Sequence, residues 1–121
     1  MVKKIICDLD NTITLHDSAE EYSKKLPNKI VIEKLVEYQN IGYEIIIFTA
    51  RNMNTLKGDT DKIKLITLPI ILEWLDRYGV PYSEVIIGKP WCGDGFYLDD
   101  RAIRPKEFID LSEKDLLDLV K

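Results

Sequence analysis

Apolar residues along the chain come in two rhythms. Short unbroken blocks alternate with longer stretches in which apolar positions recur every three or four residues. Ile5-Ile6-Cys7 is the first block, closed at once by Asp8, and reads as a buried strand. Tyr43-Glu44-Ile45-Ile46-Ile47-Phe48 is a second, rich in β-branched side chains and followed by Thr49. Glu84-Val85-Ile86-Ile87 reads as a third strand, closed by Gly88-Lys89-Pro90. Gly95-Phe96-Tyr97-Leu98 reads as a fourth, closed by Asp99-Asp100.

Between them lie the helical rhythms. Asn28 is placed to cap a helix carrying Val31, Ile32, Leu35, Val36 and Tyr38 on one side, with Gly42 just past its end. A second helix presents Ile70, Ile71, Trp74, Leu75 and Tyr78 inward and stops at Gly79; Thr67 suits its cap and Pro69 its first turn. Pro105 to Asp110 predicts a short helix. Ser112 opens a last one, with Asp115 as capping partner and Leu116, Leu117, Leu119 and Val120 as its apolar side. The polar stretch Asn11 to Lys25, which holds the only histidine, His16, reads as a loop or small flap. Ala50 to Lys64 reads as a long polar connection, a length that in a small domain often carries function.

Strand, helix, strand, helix, strand, strand is the order of an α/β protein: a three-layer, Rossmann-like domain in which a small parallel sheet is flanked by helices. The 121 residues suit one domain, 1–121. The net charge of −4 gives no reason to expect nucleic acid or an anionic membrane as partner, and an anionic substrate would need locally placed positive charge. No apolar run has the length of a membrane span, and the N-terminus carries no signal-like segment. Cys7 and Cys92 are too few and too distant for a disulfide framework, so the chain reads as cytoplasmic.

Chemistry collects where the apolar blocks stop. Asp8 and Asp10 follow the first, Thr49 and Arg51 the second, Lys89 the third, Asp99 and Asp100 the fourth. In open parallel sheets, ligands sit beyond the carboxyl ends of the strands, so these groups are expected to converge. Carboxylates concentrated in that way repel unless a hard cation sits among them, and oxygen-rich sites suit magnesium. Lys89 and the Thr49 hydroxyl add what a phosphoryl group needs. Aspartate serves as a covalent nucleophile in phosphoryl transfer, and a second carboxylate nearby as general acid and base.

This pattern resembles the haloacid dehalogenase superfamily of phosphohydrolases. Its four motifs find Asp8, Asp10 and Thr12; Thr49; Lys89; and Asp99 with Asp100, in order across most of the chain. The resemblance implies Asp8 as nucleophile and magnesium ligand, and Asp10 as acid–base that offers its backbone carbonyl to the metal. It implies Thr49 and Lys89 as phosphate holders, with Asp99, Asp100 or both completing the Mg2+ site. The wording Phe48-Thr49-Ala50-Arg51-Asn52-Met53 and Gly88-Lys89-Pro90-Trp91-Cys92-Gly93-Asp94 is similar to short, cap-less phosphatases of bacterial capsular polysaccharide biosynthesis. That likeness implies a sugar phosphate or small phosphorylated precursor as substrate. Neither segment between motifs is long enough for a cap domain, so water exclusion falls to the flap, to the Ala50–Lys64 connection, or to a lid from a second subunit in a homo-oligomer.

Other readings stand beside this one. Arg51 and Arg101 suit substrate contact, or structural pairing with Asp100, Asp94 or Glu44. Trp91 suits stacking on a sugar ring, or core packing. A phosphotransferase or phosphomutase needs the same residues and differs in the acceptor. A receiver-like regulatory domain uses similar groups, but there the acidic pair belongs to the first strand and the phosphorylated aspartate to a middle one, an order this chain does not follow.

Overall fold

A computed structural model describes all residues, Met1–Lys121. The chain forms two compact units, Met1–Trp91 and Cys92–Lys121.

The first unit is built on a three-stranded parallel sheet of order β1 (Lys4–Cys7), β2 (Glu44–Thr49), β3 (Glu84–Ile87). Cys7 lies level with Ile47, and Thr49 with Ile87, which sets the register. β2 is the central strand: Ile45, Ile46, Ile47 and Thr49 are all buried, the unbroken apolar signature of a strand covered on both faces. The expected α/β architecture, a small parallel sheet flanked by helices, is what the chain adopts.

α1 (Lys29–Asn40) connects β1 to β2 and packs against β2. Asn28 caps it as expected, its side chain accepting from the Val31 amide. Val31, Ile32, Leu35 and Tyr38 are buried, while Val36 stands half-exposed at the margin of the stripe. α2 (Thr60–Ile66) and α3 (Leu68–Arg77) connect β2 to β3, and α2 packs against both α3 and β3. In α3, Ile71, Trp74 and Leu75 are buried as expected. Ile70 is exposed instead, because the inward stripe runs through Thr67, Ile71 and Trp74 and leaves it off to one side.

α2 replaces part of the expected loop 50–64. Its start is set by Asp59, whose side chain accepts from the Lys62 amide. Thr67 sits at the junction of α2 and α3 and makes no side-chain cap. The flap is pinned rather than loose. Residues 22–24 form a single 3-10 turn, Thr14 bridges Pro27, and the buried Trp74 indole N–H donates to the Lys25 carbonyl at 2.8 Å.

The second unit holds α4 (Pro105–Asp110) and α5 (Glu113–Leu119). Ser112 caps α5 through the Asp115 amide, as expected. Of the expected apolar side of α5, Leu116 is buried and Leu117 and Leu119 are exposed.

The expected fourth strand does not form: Phe96 to Asp99 carries no ladder, and Phe96 and Leu98 are 85% and 93% exposed. A strand is made by its neighbour, and a parallel crossover takes about a dozen residues or more. Only residues 88–94 separate this segment from β3. No helix of the chain is long and apolar enough to cross a membrane.

Candidate active site

The site grows from the way the chain leaves β1. The Leu9 carbonyl accepts from the amides of Thr12, Ile13 and Thr14 at 3.3, 2.9 and 3.1 Å, curling the chain immediately after Asp8. Leu9 and Ile13 point into the core at 0% exposure and anchor the curl. Asn11 takes the left-handed conformation at φ 63°, which asparagine tolerates better than most residues, and its amide donates to the Thr14 hydroxyl at 2.9 Å. The curl leaves Asp8 and Asp10 partly exposed on either side of the buried Leu9.

Both oxygens of Asp8 are held. Thr12 Oγ1 donates to Oδ2 at 3.0 Å, and Lys89 Nζ lies 3.4 Å from Oδ1. Lys89 arrives from the turn after β3, where Gly88 at φ 92° bends the chain and the Lys89 amide donates to the Thr49 carbonyl at 3.1 Å. The carboxyl ends of β1, β2 and β3 are thereby brought together, as the strand order requires.

Asp10 is held more tightly still. Arg51 Nε and Nη2 donate to its two oxygens at 3.0 and 2.7 Å in a fork-to-fork pair. The Arg51 side chain is 0% exposed, lies 4.1 Å from the centre of the Tyr22 ring, and leaves Nη1 buried without a partner. Thr49 is buried, its hydroxyl accepting from the Arg51 amide at 3.0 Å, which leaves its proton to donate. The next residue, Asn52, at φ 63°, donates to the Thr67 hydroxyl and ties this turn to the α2–α3 junction.

Two shifted groups border the site. Burial, reinforced by the negative charge of Asp8 and opposed by Lys89, pushes the Cys7 thiol up to about 12, so Cys7 stays a neutral thiol. The Tyr22 phenol is raised by burial first and by Asp10 second, with Arg51 pulling the other way.

Asp8, Asp10, Thr49, Arg51 and Lys89 therefore share one site in Met1–Trp91. The partner of Arg51 is Asp10, not the Asp100, Asp94 or Glu44 weighed from sequence. Tyr22 and the Thr12 hydroxyl complete the arrangement; Tyr22 carried no sequence signal beyond its place in the flap. Trp91 is 54% exposed and is not core. In the second unit, Asp99 accepts from the Arg101 amide at 2.7 Å, and Arg101 Nη1 donates to the Val120 carbonyl at 2.9 Å, so this arginine secures the end of α5. Asp100 is exposed.

As a cation site, Met1–Trp91 offers the Asp8 carboxylate, both Asp10 carboxylate oxygens being taken by Arg51, and no cluster of three His, Cys, Asp or Glu forms there. Magnesium is commonly bound through one or two carboxylates, with water and substrate phosphate as the remaining ligands, so the donor set fits.

No protein-family model matches the chain, and comparison with curated proteins finds no match. Among solved structures, the chain is similar to an MCSG target from Vibrio cholerae, with 52% identity, a TM-score of 0.94, and 98% of this chain and 96% of that one covered. It is also similar to a chain of the Pnkp1/Rnl/Hen1 complex, with 21% identity and a TM-score of 0.53. That likeness covers 90% of this chain and 34% of the other, and concerns the fold alone.

Proposed function

This chain belongs to the same family as the Vibrio cholerae protein, and we propose that it is a magnesium-dependent phosphomonoesterase of the haloacid dehalogenase type with Asp8 as nucleophile. The observation that carries the reading is the Asp8 carboxylate itself. It stands at a strand end, oriented by Thr12 and Lys89, with the fixed carboxylate of Asp10 two residues on and the Thr49 turn beside it.

An Asp8 oxygen attacks phosphorus and forms an aspartyl phosphate while the ester oxygen departs as an alcohol with a proton from Asp10. Asp10 then takes a proton from water as that water attacks phosphorus. The phosphorus–oxygen bond to Asp8 breaks, inorganic phosphate leaves, Asp8 is again a carboxylate, and Asp10 is again the carboxylic acid that began the cycle. Lys89 and the Thr49 hydroxyl receive the charged phosphoryl oxygens. The Arg51 fork fixes where Asp10 points, so Arg51 is a positioning residue and its buried side chain takes no substrate. Within Met1–Trp91, Asp8 and the Asp10 carbonyl would hold Mg2+, which would offset the mutual repulsion of carboxylate and phosphate.

The substrate class follows the capsule-enzyme resemblance: a sugar phosphate or a small phosphorylated precursor, met in the cytoplasm, with Trp91 at hand to stack on a ring. The test is phosphate release from a panel of sugar, polyol and amino-alcohol phosphates with Mg2+ and no acceptor. Asp8→Asn is expected to abolish release, and beryllium fluoride to bind on Asp8. Turnover by a clean, folded Asp8→Asn preparation would overturn the assignment. Transfer to an added sugar with no release to water would favour the phosphotransferase.

A further inference from the structure

The fork between Arg51 and Asp10 leaves one motion of the guanidinium unrestrained. Its two hydrogen bonds, at 3.0 and 2.7 Å, fix the group against the carboxylate within its own plane. They resist tilting out of that plane weakly, because the angular preference at a carboxylate oxygen is broad. Nη1, buried without a partner, adds no further restraint. The group lying on the face of the guanidinium is the Tyr22 ring, its centre 4.1 Å from Arg51 Cζ. A planar cation stacked on an aromatic face is held flat by that contact.

A ring restrains its neighbour only if it is itself fixed. Tyr22 opens the 3-10 turn of residues 22–24, and its carbonyl accepts from the Lys25 amide at 3.3 Å. α3 fastens that turn from outside: the Trp74 indole donates to the Lys25 carbonyl at 2.8 Å, and Arg77 Nη1 donates to the Ser23 carbonyl at 3.0 Å. Lys25 Nζ donates to the Ala19 carbonyl at 3.0 Å and closes the flap on itself. Trp74 is buried and its ring lies 4.8 Å from that of Tyr78, so the anchor belongs to the core. A line of contacts thus runs from α3 through the pinned turn to Tyr22, then to Arg51 and to the Asp10 carboxylate, all within Met1–Trp91.

We propose that Tyr22 is a positioning residue for the proton transfer made by Asp10: its ring holds the Arg51 guanidinium flat, and the guanidinium aims the carboxyl group at the departing ester oxygen. The inference rests on the phosphatase reading and gives the flap a part in it. Tyr22 acts through Arg51 and not on the substrate. A positioned acid contributes about 10²–10⁴ in rate, and a misplacement of about 1 Å can cost on the order of 100-fold.

The requirement for that aim depends on the leaving group. An alkoxide is too basic to depart without a proton, whereas p-nitrophenolate leaves unprotonated. Lost aim therefore penalises alkyl esters and spares the aryl ester, while lost folding or lost phosphate binding penalises both alike. The readout is kcat/KM, which covers the steps up to departure of the leaving group and not the later hydrolysis of the aspartyl phosphate.

Tyr22 is half-buried, so the core should survive its replacement. With Mg2+ present, Tyr22→Leu should lower kcat/KM by about 10- to 100-fold for the alkyl phosphate that the wild type turns over best, and by less than about threefold for p-nitrophenyl phosphate. Tyr22→Met, equally without a ring, takes its place should Tyr22→Leu fail to fold. Tyr22→Phe, which keeps the ring, should restore most of the loss. Thermal unfolding of wild type, Tyr22→Leu, Arg51→Met and the double variant reads the contact without any turnover: the double variant's fall in Tm should be smaller than the two single falls together. Equal losses on both esters, or a Tyr22→Phe as impaired as Tyr22→Leu, overturn the positioning role and leave the phosphatase standing. Additive falls in Tm overturn the contact on which the role depends. A wild type inactive on every ester, p-nitrophenyl phosphate included, refutes the phosphatase reading instead, and the unfolding series still decides whether Tyr22 restrains Arg51.

Discussion

Removing the Asp10 carboxylate should unfold this protein more readily than removing almost any other surface-accessible group. The perturbation is Asp10→Ala. Its consequence falls on Arg51, whose guanidinium has 0% exposure and would lose the acceptors of both Nε and Nη2, with Nη1 already unpartnered. A fully buried charge stripped of its partner costs about 3–5 kcal/mol. The Tyr22 ring keeps only a cation–π contact, worth about 1–2 kcal/mol and present before and after. For a chain of this length the loss corresponds to a fall in Tm of roughly 10–20 °C. Urea unfolding followed by circular dichroism measures it. The diagnostic is the double variant Asp10→Ala/Arg51→Met, which removes the charge along with its partner and should recover at least about 2 kcal/mol of the loss. A single variant within about 1 kcal/mol of wild type, or a double variant no more stable than the single, refutes the claim that the buried fork carries this energy.

Trp74→Phe should cost about 1–3 kcal/mol, since the buried Lys25 carbonyl loses its donor, and hydrogen exchange should rise first around residues 22–27. Gly88→Ala should cost about 1–2 kcal/mol, because φ 92° is strained for an L side chain and the new Cβ would meet Thr60 at 3.3 Å; phosphate release should fall with it as Lys89 shifts. Cys7 contributes stability that is full below the ordinary thiol value of 9 and is lost as pH rises through about 12, because the unfolded chain ionises first. Denaturation midpoints should therefore fall between pH 9 and 12, and less so in Cys7→Ala. An equal fall in both proteins would refute it.

Much of the fold was legible from local pattern. β1 to β3, α1, α4 and α5 follow from runs, periods and caps such as Asn28 and Ser112, whose physics is contained within a few residues. α2 was not, because its stretch buries only Ile63 and its start depends on one aspartate cap in a polar region. Phe96 to Leu98 has the composition of a strand, yet composition cannot supply a ladder partner. At the site, the grouping of Asp8, Thr49 and Lys89 was legible because parallel strands deliver their ends to one side. The Asp10–Arg51 fork was not: its partners are 41 positions apart, and nothing in either residue's neighbourhood selects the other.

The two tethers on Asp8 differ in how far they reach along the chain. Thr12 is four residues away and can find the carboxylate as soon as the first turn curls; Lys89 is 81 away and arrives only when β3 has docked. The reactive group is thus half-set by a local event and finished by one of the slowest contacts the topology offers. Chains caught midway, with β1 formed and β3 still loose, hold a correctly shaped but uncompensated aspartate, so recovery of turnover after dilution from denaturant should lag behind recovery of helix signal.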